Sequence, residues 1–175
     1  MSQKTYSQVF GSNNVLIGVS GIIGVGKSTL TKSLCKEFKA DALYEPVETN
    51  LYLKKFYKDI KKYAFPMQVH LLNHRFSQHQ QMVWSGNNTV QDRTIYEDVI
   101  FAKMLYESGD MSELDFKTYC GLYHNMSNFL HRPDLIVYLD VEPEIALERI
   151  KQRSRGCEIN MPIEYLRKLK AGYEE

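Results

Sequence analysis

Short apolar runs alternate along this chain with longer stretches in which apolar residues return every three or four positions. Val15-Leu-Ile-Gly-Val-Ser20, Ala42-Leu-Tyr44, Thr89-Val-Gln91 and Leu135-Ile-Val-Tyr-Leu139 have the β-branched and aromatic character of strands. The spacing predicts a first helix over Lys27 to Phe38. Val69, Leu72 and Phe76 mark an apolar stripe in a helix running to about Trp84, and Tyr96 to Tyr106 and Phe116 to Leu130 supply two more. Pro143 suits a first helical position, since its missing N–H would have no partner there, and Ala146, Leu147 and Ile150 form the buried stripe that follows. Strands that alternate with helices predict an α/β fold around a parallel sheet.

The 175 residues, 43% of them hydrophobic and 25% charged, can bury one real core, so a single domain over residues 1–175 is expected. A formal net charge of +1 argues against a general nucleic-acid binder, which would carry a basic surplus. Cys35, Cys120 and Cys157 are odd in number and far apart, which suggests neither a disulfide framework nor a zinc site and fits a reducing compartment. The polar start MSQKTYSQVFGSNN has no apolar leader core, and no run approaches the ~20 apolar residues of a membrane helix. The expectation is a cytoplasmic protein without a membrane or nucleic-acid partner.

The strongest chemical signal is Gly21-Ile22-Ile23-Gly24-Val25-Gly26-Lys27-Ser28, followed by Thr29. It satisfies G-x-x-x-x-G-K-S/T between an expected strand and an expected helix. Glycines let backbone N–H groups wrap phosphate oxygens, the helix N-terminus adds partial positive charge, Lys27 can reach the β and γ phosphates, and Ser28 can hold magnesium. Such a loop serves switch GTPases, motor ATPases and small-molecule kinases alike. The absence of an N-K-x-D guanine motif disfavours the first. Glu45, just beyond the second strand, points to the crevice where α/β proteins bind ligands and could act as a general base. Asp92, at the end of the third strand, competes with Asp140 as a magnesium-holding carboxylate, and Arg93 beside it could steady Glu45 and touch a transferred phosphoryl group. The run Glu148-Arg-Ile-Lys-Gln-Arg-Ser-Arg-Gly-Cys-Glu158 reads as a nucleic-acid patch, a solvated helix face or a phosphate-gripping lid.

Taken in order, GxxGxGKST, EPV, YKDIKKYAFPMQ, DRT and the arginine-rich run resemble the deoxynucleoside kinases, most of all their deoxyadenosine and deoxyguanosine branch, over about residues 15 to 175. The resemblance implies a P-loop NTPase fold, a three-layer α/β/α arrangement with an arginine-rich lid over residues 148–160. It implies ATP with Mg²⁺ as phosphoryl donor and the 5′-hydroxyl of a deoxynucleoside as acceptor, in nucleotide salvage. Glu45 would take the hydroxyl proton with Arg93 as its partner, and Lys27 would assist. Tyr57 and Glu158 would bond the sugar 3′-hydroxyl, and Gln68 would read the base edge. The pair Arg75 and Asp98 would mark deoxyadenosine, deoxyguanosine or deoxycytidine as substrate rather than thymidine. Phe101 stands three residues after Asp98, a spacing that resembles bacterial and viral purine kinases where the eukaryotic deoxycytidine-type pattern has its stacking ring at four, so stacking and core packing both stay open. Arg149, Arg153 and Arg155 would be the lid arginines, and Ser28 and Asp92 would hold the metal. Family members continue beyond Gly172-Tyr-Glu-Glu175 into a fifth strand and a loop over the donor adenine, so four strands are expected here. A homodimer packed through helices is also implied. A thymidine-preferring or broad kinase and a catalytically silent nucleotide-binding subunit are the alternatives.

Overall fold

The computed structural model describes residues 14–45, 47, 50–153, 158 and 161–175. Arg155 and Gly156, part of the expected lid, lie outside the described residues, as do Glu48 and Cys157. Four parallel strands, β1 (Leu16–Ser20), β2 (Asp41–Leu43), β3 (Thr89–Asp92) and β4 (Leu135–Tyr138), form one sheet in the order β2-β3-β1-β4. The four expected strands are all present, each within a residue or two of its predicted bounds. β1 and β3 are buried along their whole length, as strands covered on both faces must be; β1 is an apolar run around Gly18, whereas β3 buries Thr89, Gln91 and Asp92 beside Val90. β4 lies at the sheet edge and is largely exposed.

The helices are α1 (Lys27–Phe38), α2 (Leu53–Lys58), α3 (Ile60–Ser85), α4 (Asp98–Glu107), α5 (Glu113–Ser127), α6 (Pro143–Arg153) and α7 (Ile163–Glu174), with a single 3₁₀ turn at Ile95–Glu97 before α4. Val15, Ile17, Val19 and Val90 pack on Leu30, Leu34 and Phe38 of α1 on one face of the sheet. The larger core gathers Leu71 and Leu72 of α3, Leu105 of α4, Tyr119 of α5, Ile150 of α6 and Leu166 and Leu169 of α7 with Ile22 and Val25. Three layers result, as expected.

Two helices depart from the periodicity. The short α2 was not foreshadowed by any apolar stripe; the Asn50 side chain starts it by accepting from the Tyr52 and Leu53 N–H groups at 2.9 and 3.2 Å. α3 begins well before the expected stripe, at an N-cap where the Asp59 side chain accepts from Lys62 N, and it carries Pro66 in its interior. Leu72 is buried as expected, but Val69 and Phe76 are only half-buried. The most protected face of α3 instead presents Gln68, Arg75 and His79 alongside Ala64, Met67 and Leu71. The buried side of α3 is mixed, with Ala64 and Leu72 joining the core while Gln68 and Arg75 line a cavity, and apolar periodicity cannot register the polar part.

Candidate active site

The strand order reverses direction beside β1, and a crevice opens there at the carboxyl ends of β1 and β3. In register, Val19 stands opposite Asp92, so Gly21 and Arg93 emerge side by side. A cavity of about 520 Å³ begins at this point and runs under α3. It is lined by Ile23, Gly24, Gly26, Lys27, Ser28 and Thr29 of the loop and the start of α1, and by Glu45, Tyr57, Gln68, Arg75, Asp98 and Phe101. Asp92, Arg93, Arg149, Arg153 and Glu158 line it as well. Gly21, Ile22 and Val25 complete the loop behind the lining, Ile22 and Val25 as core residues.

The loop conformation is one that side chains resist. Gly24 has φ +85°, and a Cβ there would fall 2.6 Å from the Ala146 carbonyl oxygen and 2.9 Å from Ile150 Cγ1, both on α6. Glycine is required for the loop to lie against the lid helix. Gly26, at φ 112°, is the N-cap of α1 and makes no side-chain cap, which leaves the first N–H groups of α1 to face the cavity. Lys27 Nζ donates to the carbonyl oxygens of Gly21 and Ile22 at 3.0 and 2.8 Å. Burial first, and then the nearby Arg93 charge, push its pKa down to about 7. The Ser28 hydroxyl donates to the Asp92 carboxylate, so the two expected metal-holding groups already touch. Asp140, the competitor, pairs instead with Lys170 at 3.3 Å on the surface.

At the other end one arginine joins two carboxylates. Arg75 Nη2 lies 3.1 Å from Glu45 Oε1, and Arg75 Nη1 donates to Asp98 Oδ1. Arg75 and Asp98 are almost fully buried, at 3% and 1% exposure. Burial pushes the Asp98 carboxyl up to about 6, against the pull of Arg75. Gln68 Oε1, Arg75 Nε and Asp98 Oδ2 are buried without a hydrogen-bond partner among the described residues. Buried polar atoms are seldom left so, and a set of two acceptors and one donor around one cavity awaits a planar polar ligand.

Arg93 takes a left-handed backbone at φ 69°. Its Nη2 donates to Gly21 O at 3.0 Å and its Nη1 to the Tyr173 hydroxyl at 3.1 Å, while the guanidinium lies 4.4 Å above the Phe101 ring. Phe101 is thus both core-packed and cavity-lining. Glu45 pairs with Arg75 and also lies within electrostatic reach of Arg93, which donates to the phosphate loop at Gly21 O. On the lid side, Arg149 donates to Val25 O at 2.8 Å and Arg153 pairs with the buried Glu158.

Sequence reasoning missed Glu97, Tyr165 and Tyr173. Glu97 had a visible signal, because Thr94-Ile-Tyr-Glu97 spells a capping box, and the Glu97 carboxylate accepts from Thr94 N at 3.0 Å around the 3₁₀ turn. Tyr165 lines the cavity and Tyr173 reaches Arg93 from α7, far along the chain; no local pattern announces either.

Comparison with known proteins bears on this site. The sequence model described as deoxynucleoside kinase matches residues 17–175. The chain is 54% identical over 159 residues to a deoxyadenosine kinase of Dictyostelium discoideum, covering 91% of this chain and 65% of that one. It is 41% identical over 164 residues to a deoxyadenosine/deoxycytidine kinase of Bacillus subtilis (strain 168), covering 92% and 76%. The chain therefore spans about two thirds to three quarters of the length of these relatives. A solved deoxyadenosine kinase from M. mycoides with bound dATP superposes with a TM-score of 0.83 at 35% identity, over 92% of this chain and 82% of that one. A phosphate loop, a carboxylate-arginine-carboxylate cluster across one cavity from it, and a match that runs from β1 to the last residue place this chain in the deoxynucleoside kinase family.

Proposed function

We propose that this chain transfers the γ-phosphoryl group of ATP to the 5′-hydroxyl of a deoxynucleoside, deoxyadenosine or deoxyguanosine first and deoxycytidine next, in nucleotide salvage. The observation that carries the reading is one cavity lined both by a phosphate loop and by Gln68, Arg75 and Asp98, three side chains that each hold a polar atom with no partner among the described residues. Relatives named for deoxyadenosine, deoxyguanosine and deoxycytidine support the choice of base.

In this reading the adenine or guanine edge takes up the orphaned atoms. The Gln68 amide offers an acceptor and donors, Asp98 Oδ2 an acceptor and Arg75 Nε a donor, a set that would leave buried charge unsatisfied against a base with the wrong pattern. Tyr57 and Glu158 hold the sugar. Glu45 receives the 5′-hydroxyl proton late, because an alkyl hydroxyl is far too weak an acid for a carboxylate of pKa about 4.3 to deprotonate in advance. Lys27, Arg93 and the lid arginines Arg149, Arg153 and Arg155 supply positive charge to the transferred group. Ser28 and Asp92 offer one hydroxyl and one carboxylate in contact, a hard-oxygen pair suited to Mg²⁺, whose remaining ligands come from water and phosphate. When bound there, magnesium neutralises charge on the phosphate oxygens. The proposal includes a helix-packed homodimer, for which exposed Trp84 on α3 and Leu122 on α5 offer apolar surface.

Phosphoryl transfer from ATP to each of the four deoxynucleosides tests the reading. Turnover with deoxyadenosine or deoxyguanosine at several-fold higher kcat/KM than with thymidine is expected. A thymidine preference would overturn the assignment of the base-reading groups. Nucleotide binding without turnover on any of the four would identify a silent subunit instead.

A further inference from the structure

Behind the phosphate loop lies a closed ring of hydrogen bonds that the substrate reading leaves unused. The Tyr173 hydroxyl donates to Glu97 Oε2 at 2.6 Å and accepts from Arg93 Nη1 at 3.1 Å. Arg93 Nη2 donates to Gly21 O at 3.0 Å, and Gly21 N donates back to Glu97 Oε2 at 3.4 Å. Glu97 Oε1 accepts from Thr94 N at 3.0 Å, which ties the ring to the loop that carries Arg93. Phe101 supports it from below, lying under the guanidinium and edge-on to Tyr173 at 6.4 Å.

We propose that Tyr173 and Glu97 are positioning residues for the proposed phosphoryl transfer, acting as a clamp that fixes the Arg93 guanidinium at the mouth of the phosphate loop. The proposal rests on the reading that Arg93 contacts the transferred group. Chemistry explains why a phenol suits the task. Glu45, Asp92 and Asp98 all line the same cavity as Arg93, and an unrestrained arginine would pair with one of them and be withdrawn from phosphate. Burial holds the Tyr173 phenol well above its usual range, so the hydroxyl stays protonated. It therefore holds the guanidinium by one bond without cancelling its charge. The Glu97 carboxylate sits one bond further away, its charge spread over the Tyr173 hydroxyl and the Gly21 and Thr94 N–H groups. The clamp also couples α7 to the transfer step, since Tyr173 is on α7 while Glu97 ends the 3₁₀ turn that follows Arg93.

The test compares Tyr173→Phe with the parent chain. The variant keeps the ring and its packing and loses both bonds. Expected is a loss in kcat of about 10- to 100-fold with the deoxynucleoside KM within about threefold, the size of one hydrogen bond to a charged group felt in the transition state. In an Arg93→Lys background, Tyr173→Phe should cost less than about twofold, because its effect runs through the guanidinium. An unchanged kcat, a loss confined to KM, or an equal loss in both backgrounds would overturn the proposal. Nitrogen-15 spectra of the Arg93 Nη groups give a readout independent of turnover: slow rotation in the parent and fast rotation in Tyr173→Phe are expected, and equal rates refute the clamp. Should Tyr173→Phe fail to fold, Glu97→Gln carries the same measurements. A parent without activity on any deoxynucleoside would refute the kinase reading, and the nitrogen-15 rates would still decide the clamp.

Discussion

Asp98→Asn should stabilise this protein while impairing its proposed activity. Arg75 is one positive charge between two carboxylates, of which Asp98 is the buried one and bears the cost of desolvation. Burial raises the Asp98 carboxyl from its ordinary 3.8 to about 6. That rise of about two pH units corresponds to about 3 kcal/mol against keeping the carboxyl ionised at neutral pH. Asparagine occupies the same space, can still accept from Arg75, and leaves Arg75 and Glu45 as a balanced pair. A gain of about 1 to 3 kcal/mol is therefore expected at pH 7.5, which raises Tm by several degrees, at about 2–4 °C per kcal/mol for this size. The sign with pH follows from linkage. Between pH 6 and pH 4 the folded wild type binds more protons than the unfolded chain, so its stability rises as pH falls through that window and the advantage of the variant shrinks to nothing by about pH 4. Arg75→Met should do the opposite, leaving Asp98 buried beside Glu45 and losing stability progressively as pH rises above about 6. Urea unfolding of the three proteins at pH 5 and 7.5 measures this. A loss of 1 kcal/mol or more in Asp98→Asn at pH 7.5, or a difference from wild type that does not change between the two pH values, would refute the electrostatic account of the cluster.

Glu45→Gln should lower kcat by about 10² to 10⁴ while nucleoside affinity, read by calorimetry, stays within a few-fold. Lys27 is held at a pKa of about 7 in the ligand-free protein, so it should gain charge when a triphosphate arrives. Titration with ATP at pH 8 in two buffers of different ionisation enthalpy should reveal uptake of up to about one proton, and zero uptake would contradict the burial of Lys27. Gly24→Ala should weaken ATP binding at least about tenfold, because the methyl group meets Ala146 O and Ile150 and forces the loop away from α6; fluorescent-nucleotide titration checks it.

Local physics is what a sequence states directly. The four strands, α1 to the residue and the start of α6 at Pro143 followed from apolar runs, a loop-to-helix junction and a residue without an N–H. The phosphate loop was legible for the same reason, since its chemistry is held in contiguous backbone. Gln68 and Arg75 could be placed on one helix face because seven residues make nearly two turns. Glu97 could have been found from the capping box alone.

Other features depend on partners distant in the chain. The apolar stripe of α3 caught Leu72 but could not register Gln68 and Arg75, buried polar groups that line the cavity beside residues that join the core. Arg93 was matched to Glu45 by motif order; only the fold adds the bond from Arg93 to Gly21 O and brings Arg75 from α3 to the same Glu45 carboxylate. Asp92 and Asp140 were equivalent strand-end aspartates until the fold put one against Ser28 and the other against Lys170. Tyr173 had no signal whatever, for a phenol acquires meaning only from the arginine and glutamate it meets. The residue types able to do the chemistry were written in the sequence; which charge faces which was decided by the packing of α3, α4 and α7 around the strand ends, where burial sets the electrostatics.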